Sequence, residues 1–200
     1  MKSDAPPLDK ASAAGRPRDP RIDAAILRAT TELLIEVGYA NLTLAAVADR
    51  AGTTKSALYR RWSSKPELVH EAAFSATPTA LEAPTGDVAT DVAAMIAAAR
   101  DVFTGPVVRA ALPGVTADMA TDPDLHARVM SRFTGLFDVV RDWLQQAVDR
   151  GVARPDVDPD RLVEVIGGAT MLRLLIHPDD PLDETWVAQT AGIVVHGVLA

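Results

Sequence analysis

Residues 42 to 65 read LTLAAVADRAGTTKSALYRRWSSK and leave little choice of local fold. Thr43 is placed to cap a first short helix, because its hydroxyl can accept from an amide one turn on. Val47 and Ala51 then share the inner face of that helix. Gly52 supplies the positive φ that a tight turn requires, without a Cβ penalty. Thr54 caps a second helix, on which Leu58 and Trp62 repeat at i, i+4 and face inward. Lys55, Ser56, Ala57, Tyr59, Arg60 and Arg61 are left on or near its outer side. Two short helices joined by a glycine turn make a helix-turn-helix, whose second helix enters the DNA major groove. Ordinary packed helix pairs share this spacing, so spacing alone leaves both readings open.

The flanks narrow the choice. Asp19-Pro20 is a cap followed by a proline at the first helical position, and predicts a helix to Val37 that Gly38 stops. Ile22, Ile26, Ala29 and Leu33 form its apolar stripe. Ser64 and Glu67 have the spacing of a capping box for a fourth helix, with Pro66 in its first turn. A helix, the helix pair, and then Tyr59-Arg60-x-Trp62-x-Ser64-Lys65 opening another helix resembles the N-terminal domain of TetR-family transcriptional regulators. The resemblance spans about residues 21 to 75 and is densest at KSALYRRWSSKPELV.

That resemblance implies roles for particular residues. Thr43 sits where the family places a helix N-terminus and a hydroxyl against phosphate, and free amides favour an anion there. Thr54, Lys55 and Ser56 open the recognition helix and match positions that contact backbone or bases. Tyr59 matches a phosphate-contacting tyrosine, Arg60 is placed for a guanine edge or a phosphate, and Lys65 matches a phosphate anchor. Two residues depart from the pattern: Arg61 stands where histidine is frequent, and Ser56 where glycine is. The first is expected to add positive charge near the duplex, the second a hydroxyl.

Charge is divided along the chain. Residues 1–75 hold 11 Lys and Arg against 9 Asp and Glu, whereas residues 76–200 hold 9 against 18. A mildly basic head on an acidic body suits a protein that presents one end to nucleic acid. Its overall charge of −7 argues against coating DNA or membranes indiscriminately. The absence of cysteine closes disulfide, thiolate-metal and cysteine-nucleophile chemistry. No signal peptide and no apolar run of membrane-spanning length is visible, so a cytoplasmic protein without a membrane partner is expected. Residues 1–18 lack periodicity and read as a disordered basic arm. Gly15-Arg16-Pro17-Arg18 suits either a minor-groove arm or a solvated tail.

No segment alternates with period two for long enough to make a strand, so an all-α fold of about nine helices is expected. The helix-turn-helix domain is assigned to residues 19–74, and a helical ligand-binding and dimerisation domain to 75–200, beginning with a linker at 75–86. Its helices are expected from Asp87 to Phe103, from Val107 to about Ala120 with an interruption at Pro113-Gly114, and from Asp122-Pro123 to Gly151 as the longest. Two more follow, from Asp158-Pro159 to about His177 and from Asp183 to about Val198.

By the same resemblance, the C-terminal part binds a small-molecule effector and pairs with a second copy through its last two long helices. Met95, Phe103, Met130, Phe133, Phe137 and Met171 are candidates to line the effector pocket, with Arg100 or Arg109 as anion anchors. Core packing or solvated surface is the commoner role for each of these residues. Gly167, Gly168, Leu172, Ala191 and Val194 are candidates for the homodimer interface. Glycine inside a helix costs about 1 kcal/mol relative to alanine. Close helix approach, or a ligand lying against the backbone, would account for tolerating Gly167-Gly168; a simple weak spot in the helix is the alternative.

Catalysis finds no support. His70, His126, His177 and His196 are scattered, no HExxH, phosphate loop or Gly-x-Ser-x-Gly occurs, and no metal or cofactor motif is present. The function implied is a regulator that binds double-stranded operator DNA, most commonly a repressor, and that an effector releases. The alternative is a ligand-binding or interaction protein of the same fold without specific DNA binding.

Overall fold

The computed structural model describes residues 19–74 and 83–198, and the fold among them is all-α. Ten helices follow in order: α1 (Pro20–Asn41), α2 (Leu44–Arg50), α3 (Lys55–Tyr59), α4 (Lys65–Phe74), α5 (Val88–Thr104), α6 (Pro106–Met119), α7 (Pro123–Ser131), α8 (Thr134–Asp149), α9 (Pro159–Ile176) and α10 (Glu184–Val198). The N-terminal arm and most of the expected linker lie outside the described residues.

Aspartates start the helices as expected. Asp19, Asp87, Asp122 and Asp158 each accept from an amide of the following turn, which satisfies donors that the helix itself cannot. Gly38 takes φ +72° and breaks α1 one turn before its end. The Ser64–Glu67 box forms only in part. Glu67 N–H reaches Ser64 Oγ at 3.4 Å, but the Glu67 carboxylate turns to the amide and hydroxyl of Ser63.

Two expectations for the C-terminal part are corrected. The long helix from Asp122 is two helices. Arg132 and Phe133 donate to carbonyls only three residues back, and the hydroxyls of Ser131 and Thr134 bond to the carbonyls of Arg128 and Ser131. These local bonds tighten the backbone and divide α7 from α8. Conversely, Pro113-Gly114 does not interrupt α6, which runs through both residues. Gly114 is needed for contact with α1: a Cβ there would collide with Cδ1 and Cγ of Tyr39. The Tyr39 ring lies on bare backbone, and its hydroxyl donates to Asp118 one turn further along α6.

The apolar side chains gather into two cores. The first joins Ile26 and Leu34 of α1, Val47 of α2, Leu58 of α3, Trp62, and Leu68 and Val69 of α4 with Val108, Ala111 and Val115 of α6. The second joins Val92 and Ile96 of α5, Trp143 and Leu144 of α8, Leu162 and Ile166 of α9, and Val187 and Val195 of α10. Helix α6 follows the helix-turn-helix in sequence by more than thirty residues, yet packs into its core. A buried carboxylate pins the second core. Asp91 accepts from Trp143 Nε1 at 3.0 Å and from the amide and hydroxyl of Thr85 at 2.8 and 2.7 Å. Burial pushes its pKa up, but these hydrogen bonds outweigh burial and hold it below the ordinary value.

Candidate nucleic-acid interface and effector cavity

The turn between α2 and α3 closes as the glycine demanded. Gly52 sits at φ +63° and donates to Asp49 O at 3.2 Å, while Thr53 N–H reaches back to Ala48 O at 2.9 Å. This pair of bonds satisfies the last carbonyls of α2 and turns the chain sharply. Thr43 and Thr54 cap α2 and α3, accepting from Ala46 and Ala57 at 3.2 and 3.1 Å. Leu58 and Trp62 are buried, so the opposite side of α3 faces outward. On it Thr54, Lys55, Ser56, Tyr59 and Arg60 are exposed together, Tyr59 at 55%. Among the described residues Lys55 and Arg60 have no ion-pair partner, which leaves their charges available to phosphate.

Two candidate cations are engaged elsewhere. Arg61 is turned inward rather than toward a groove: its side chain is 11% exposed, pairs with Asp23 of α1, and donates to Ala57 O at 2.9 Å. The charge that Arg61 adds is therefore neutralised within the domain. Lys65 donates from Nζ to Tyr39 O at 2.5 Å, and the ammonium stands 4.3 Å from the Tyr39 ring centroid. Burial holds its pKa below the ordinary value, with Asp118 opposing. Lys65 thus joins the start of α4 to the end of α1, beside the Tyr39–Asp118 contact with α6.

Behind this domain lies a cavity of about 620 Å³. Five of the six expected pocket residues line it: Met95 and Phe103 from α5, Met130 and Phe133 from the α7–α8 corner, and Phe137 from α8. Met171 is not among them; it lies on the outer side of α9. Arg100 and Arg109 do not reach the cavity either. Arg100 is held by Asp101 and Glu184, and Arg109 donates to Pro178 O at 3.1 Å. The polar lining instead comes from His70 and Glu71 of α4 and from Arg132. Arg132 pairs with Glu71 at 2.8 Å, and the same carboxylate oxygen accepts from Trp62 Nε1 at 2.9 Å. His70 is buried at 2% exposure between Phe74 and Phe133, and its Nε2 has no partner. Sequence spacing missed all three polar residues. A lone histidine beside Val69 has no distinguishing pattern, and Arg132 falls at a helix break that the apolar repeat conceals. Gly167 also borders this cavity rather than an outer face. Among the described residues, no three His, Asp or Glu side chains are grouped to hold a metal ion, and no helix is long and apolar enough to cross a membrane.

Residues 26–72 match the model for bacterial regulatory proteins of the tetR family, and residues 82–194 match the tetracyclin repressor-like C-terminal domain. The chain belongs to the TetR family. It is 31% identical over 189 residues to an uncharacterized HTH-type transcriptional regulator of Mycobacterium tuberculosis H37Rv, covering 91% of this chain and 92% of that one. A DNA-binding transcriptional repressor TetR of Mycobacteroides abscessus is 30% identical, with 83% and 87% covered. The crystal structure of a TetR-family transcription regulator, SCO0332, superposes with TM-score 0.69 at 34% identity, covering 90% of this chain and all of that one.

TetR-family proteins bind DNA as dimers, and α9 and α10 leave an apolar face uncovered. Val165, Leu172, Leu175 and Ile176 on α9 and Ile193 on α10 are exposed, Leu175 at 79% and Ile193 at 77%. Gly168 lies on the same stripe of α9, and a Cβ built there meets open space. Two candidates for the interface are corrected: Ala191 and Val194 point into the second core, because α10 packs that side against α5.

Proposed function

We propose that this TetR-family regulator is a homodimeric repressor, bound to operator DNA through α3 and released when a small molecule enters the 620 Å³ cavity. One observation carries the reading: α4 belongs to both sites. Its first residue, Lys65, is fastened to the helix-turn-helix through Tyr39, and its last turns supply His70, Glu71 and Phe74 to the cavity wall. An occupant that moves α4 therefore moves the domain that carries α3. Glu71 strengthens the link, holding Trp62 on one side and Arg132 on the other.

In a dimer the two α3 helices must reach successive major grooves, about 34–36 Å apart. Displacing α4 changes that separation and weakens binding. To convert a mostly bound population into a mostly free one, the effector must favour the released arrangement by about 5 kcal/mol. Lys55, Tyr59 and Arg60 supply phosphate and base contacts, Thr43 and Thr54 the capped helix starts. Selecting genomic fragments with the purified protein tests this reading. The expected product is an inverted repeat whose half-sites lie about one DNA turn apart. Recovery without enrichment of any sequence would support instead a ligand-binding protein of this fold that has no operator.

A further inference from the structure

His70, one of the residues lining the cavity, carries an unusual polar atom. His70 Nε2 is buried without a hydrogen-bond partner in a side chain only 2% exposed. The ring is held by Phe74, 4.9 Å away between centroids, and by a T-shaped contact with Phe133 at 5.8 Å. Aromatic neighbours fix an imidazole in place but offer its nitrogen at most a weak N–H···π contact, not a full hydrogen bond. Buried polar groups without partners are rare, and one lining a cavity points to a missing partner.

The charges beside it restrict that partner. Arg132 and Glu71 compensate one another at 2.8 Å, and Glu71 also binds Trp62. The imidazole is neutral at physiological pH, since burial, and then Arg132, hold its pKa down to about 4. The polar end of the cavity therefore has no net charge. An anion or cation entering it would shed water without meeting an uncompensated counter-charge, which is unfavourable. The other walls are aromatic and aliphatic, from Met95, Phe103, Phe137 and Ile166.

We propose that the effector is an uncharged, largely hydrocarbon molecule with a hydroxyl or carbonyl oxygen that hydrogen-bonds to His70 Nε2. This rests on the effector-released reading above and names the chemistry of its cavity. A hydroxyl donates to Nε2 in one imidazole tautomer, and a carbonyl accepts from it in the other.

Calorimetric titration of the full chain with matched probes tests the proposal: cyclododecanol, cyclododecanone, cyclododecane, cyclododecanecarboxylate and cyclododecylammonium. The alcohol or the ketone is expected to bind about tenfold or more tighter than the hydrocarbon and both ions, the contribution of one hydrogen bond. His70→Phe, with folding checked by circular dichroism, removes that preference. His70→Gln, which keeps a hydrogen-bonding group, restores part of it. Tightest binding by the carboxylate or the ammonium, an alcohol or ketone preference that survives His70→Phe, or no binding of any probe would each overturn the proposal. Operator release is read separately. If the His70-dependent probe binds without releasing DNA, the effector-released reading fails while the anchor stands; release by a charged probe independently of His70 fails the anchor alone.

Discussion

His70 illustrates how one side chain ties stability to pH. Burial and the nearby Arg132 guanidinium lower its pKa from 6.5 to about 4, against the opposing Glu71 carboxylate. In the unfolded chain the imidazole returns to its ordinary value. Between pH 6.5 and about 4 the unfolded state therefore binds a proton that the folded state refuses, and stability falls as pH drops through that window. Urea unfolding at about pH 7 and about pH 5 should differ by about 2 kcal/mol from this residue. His70→Phe should remove that increment. Equal pH dependence in wild type and variant would mean that the imidazole is not held neutral. Nothing in the sequence distinguished His70 from the other histidines, because its character comes from Phe133, sixty-three residues away. The exposed set on α3 was legible, since a five-residue helix pinned by Leu58 and Trp62 has only one outer face. Arg61 was not: its partner, Asp23, lies on another helix.

Helix boundaries followed local chemistry wherever a cap or a positive φ decided them, as at Asp19, Gly38, Gly52 and Asp158. They were misread where a contact from another helix decided. Pro113-Gly114 has the composition of a break, yet α6 continues through it, and Tyr39 of α1 occupies the space that a side chain at 114 would fill. Gly114→Ala tests this contact by the sign of its effect. On an exposed helix the substitution would stabilise by about 1 kcal/mol. Against the Tyr39 ring it should instead destabilise by about 1–3 kcal/mol, the usual consequence of overpacking. A raised melting temperature would contradict the contact. The α7–α8 division was equally hidden, because Val129, Leu136 and Val140 keep a helical period across it.

At the scale of the whole molecule, α6 packs in the first core and α4 forms part of the cavity wall, so the two functional regions share elements rather than meeting across a linker. Sequence composition separated head from body by charge but could not reveal this interleaving, which depends on contacts between α6 and α1. The apolar face of α9 and α10 supports pairing of two copies, since exposed stripes of this kind mark interaction surfaces. Gly168→Leu discriminates well, because open space surrounds Gly168 in one protomer. The variant should fold yet sediment as a monomer and lose operator affinity; an unchanged dimer would place the interface elsewhere. Fluorescence anisotropy with a selected operator reads whether the outer face of α3 holds operator DNA. Wild type, Tyr59→Ala and Arg60→Ala are titrated at two salt concentrations. Affinity should fall steeply with salt for the wild type, and removing the Arg60 guanidinium should make the slope shallower by about one, the share of a single neutralised phosphate. Tyr59→Ala should weaken binding about tenfold, the equivalent of one hydrogen bond. Equal binding by all three proteins, no tighter than to random DNA, would contradict operator recognition by α3.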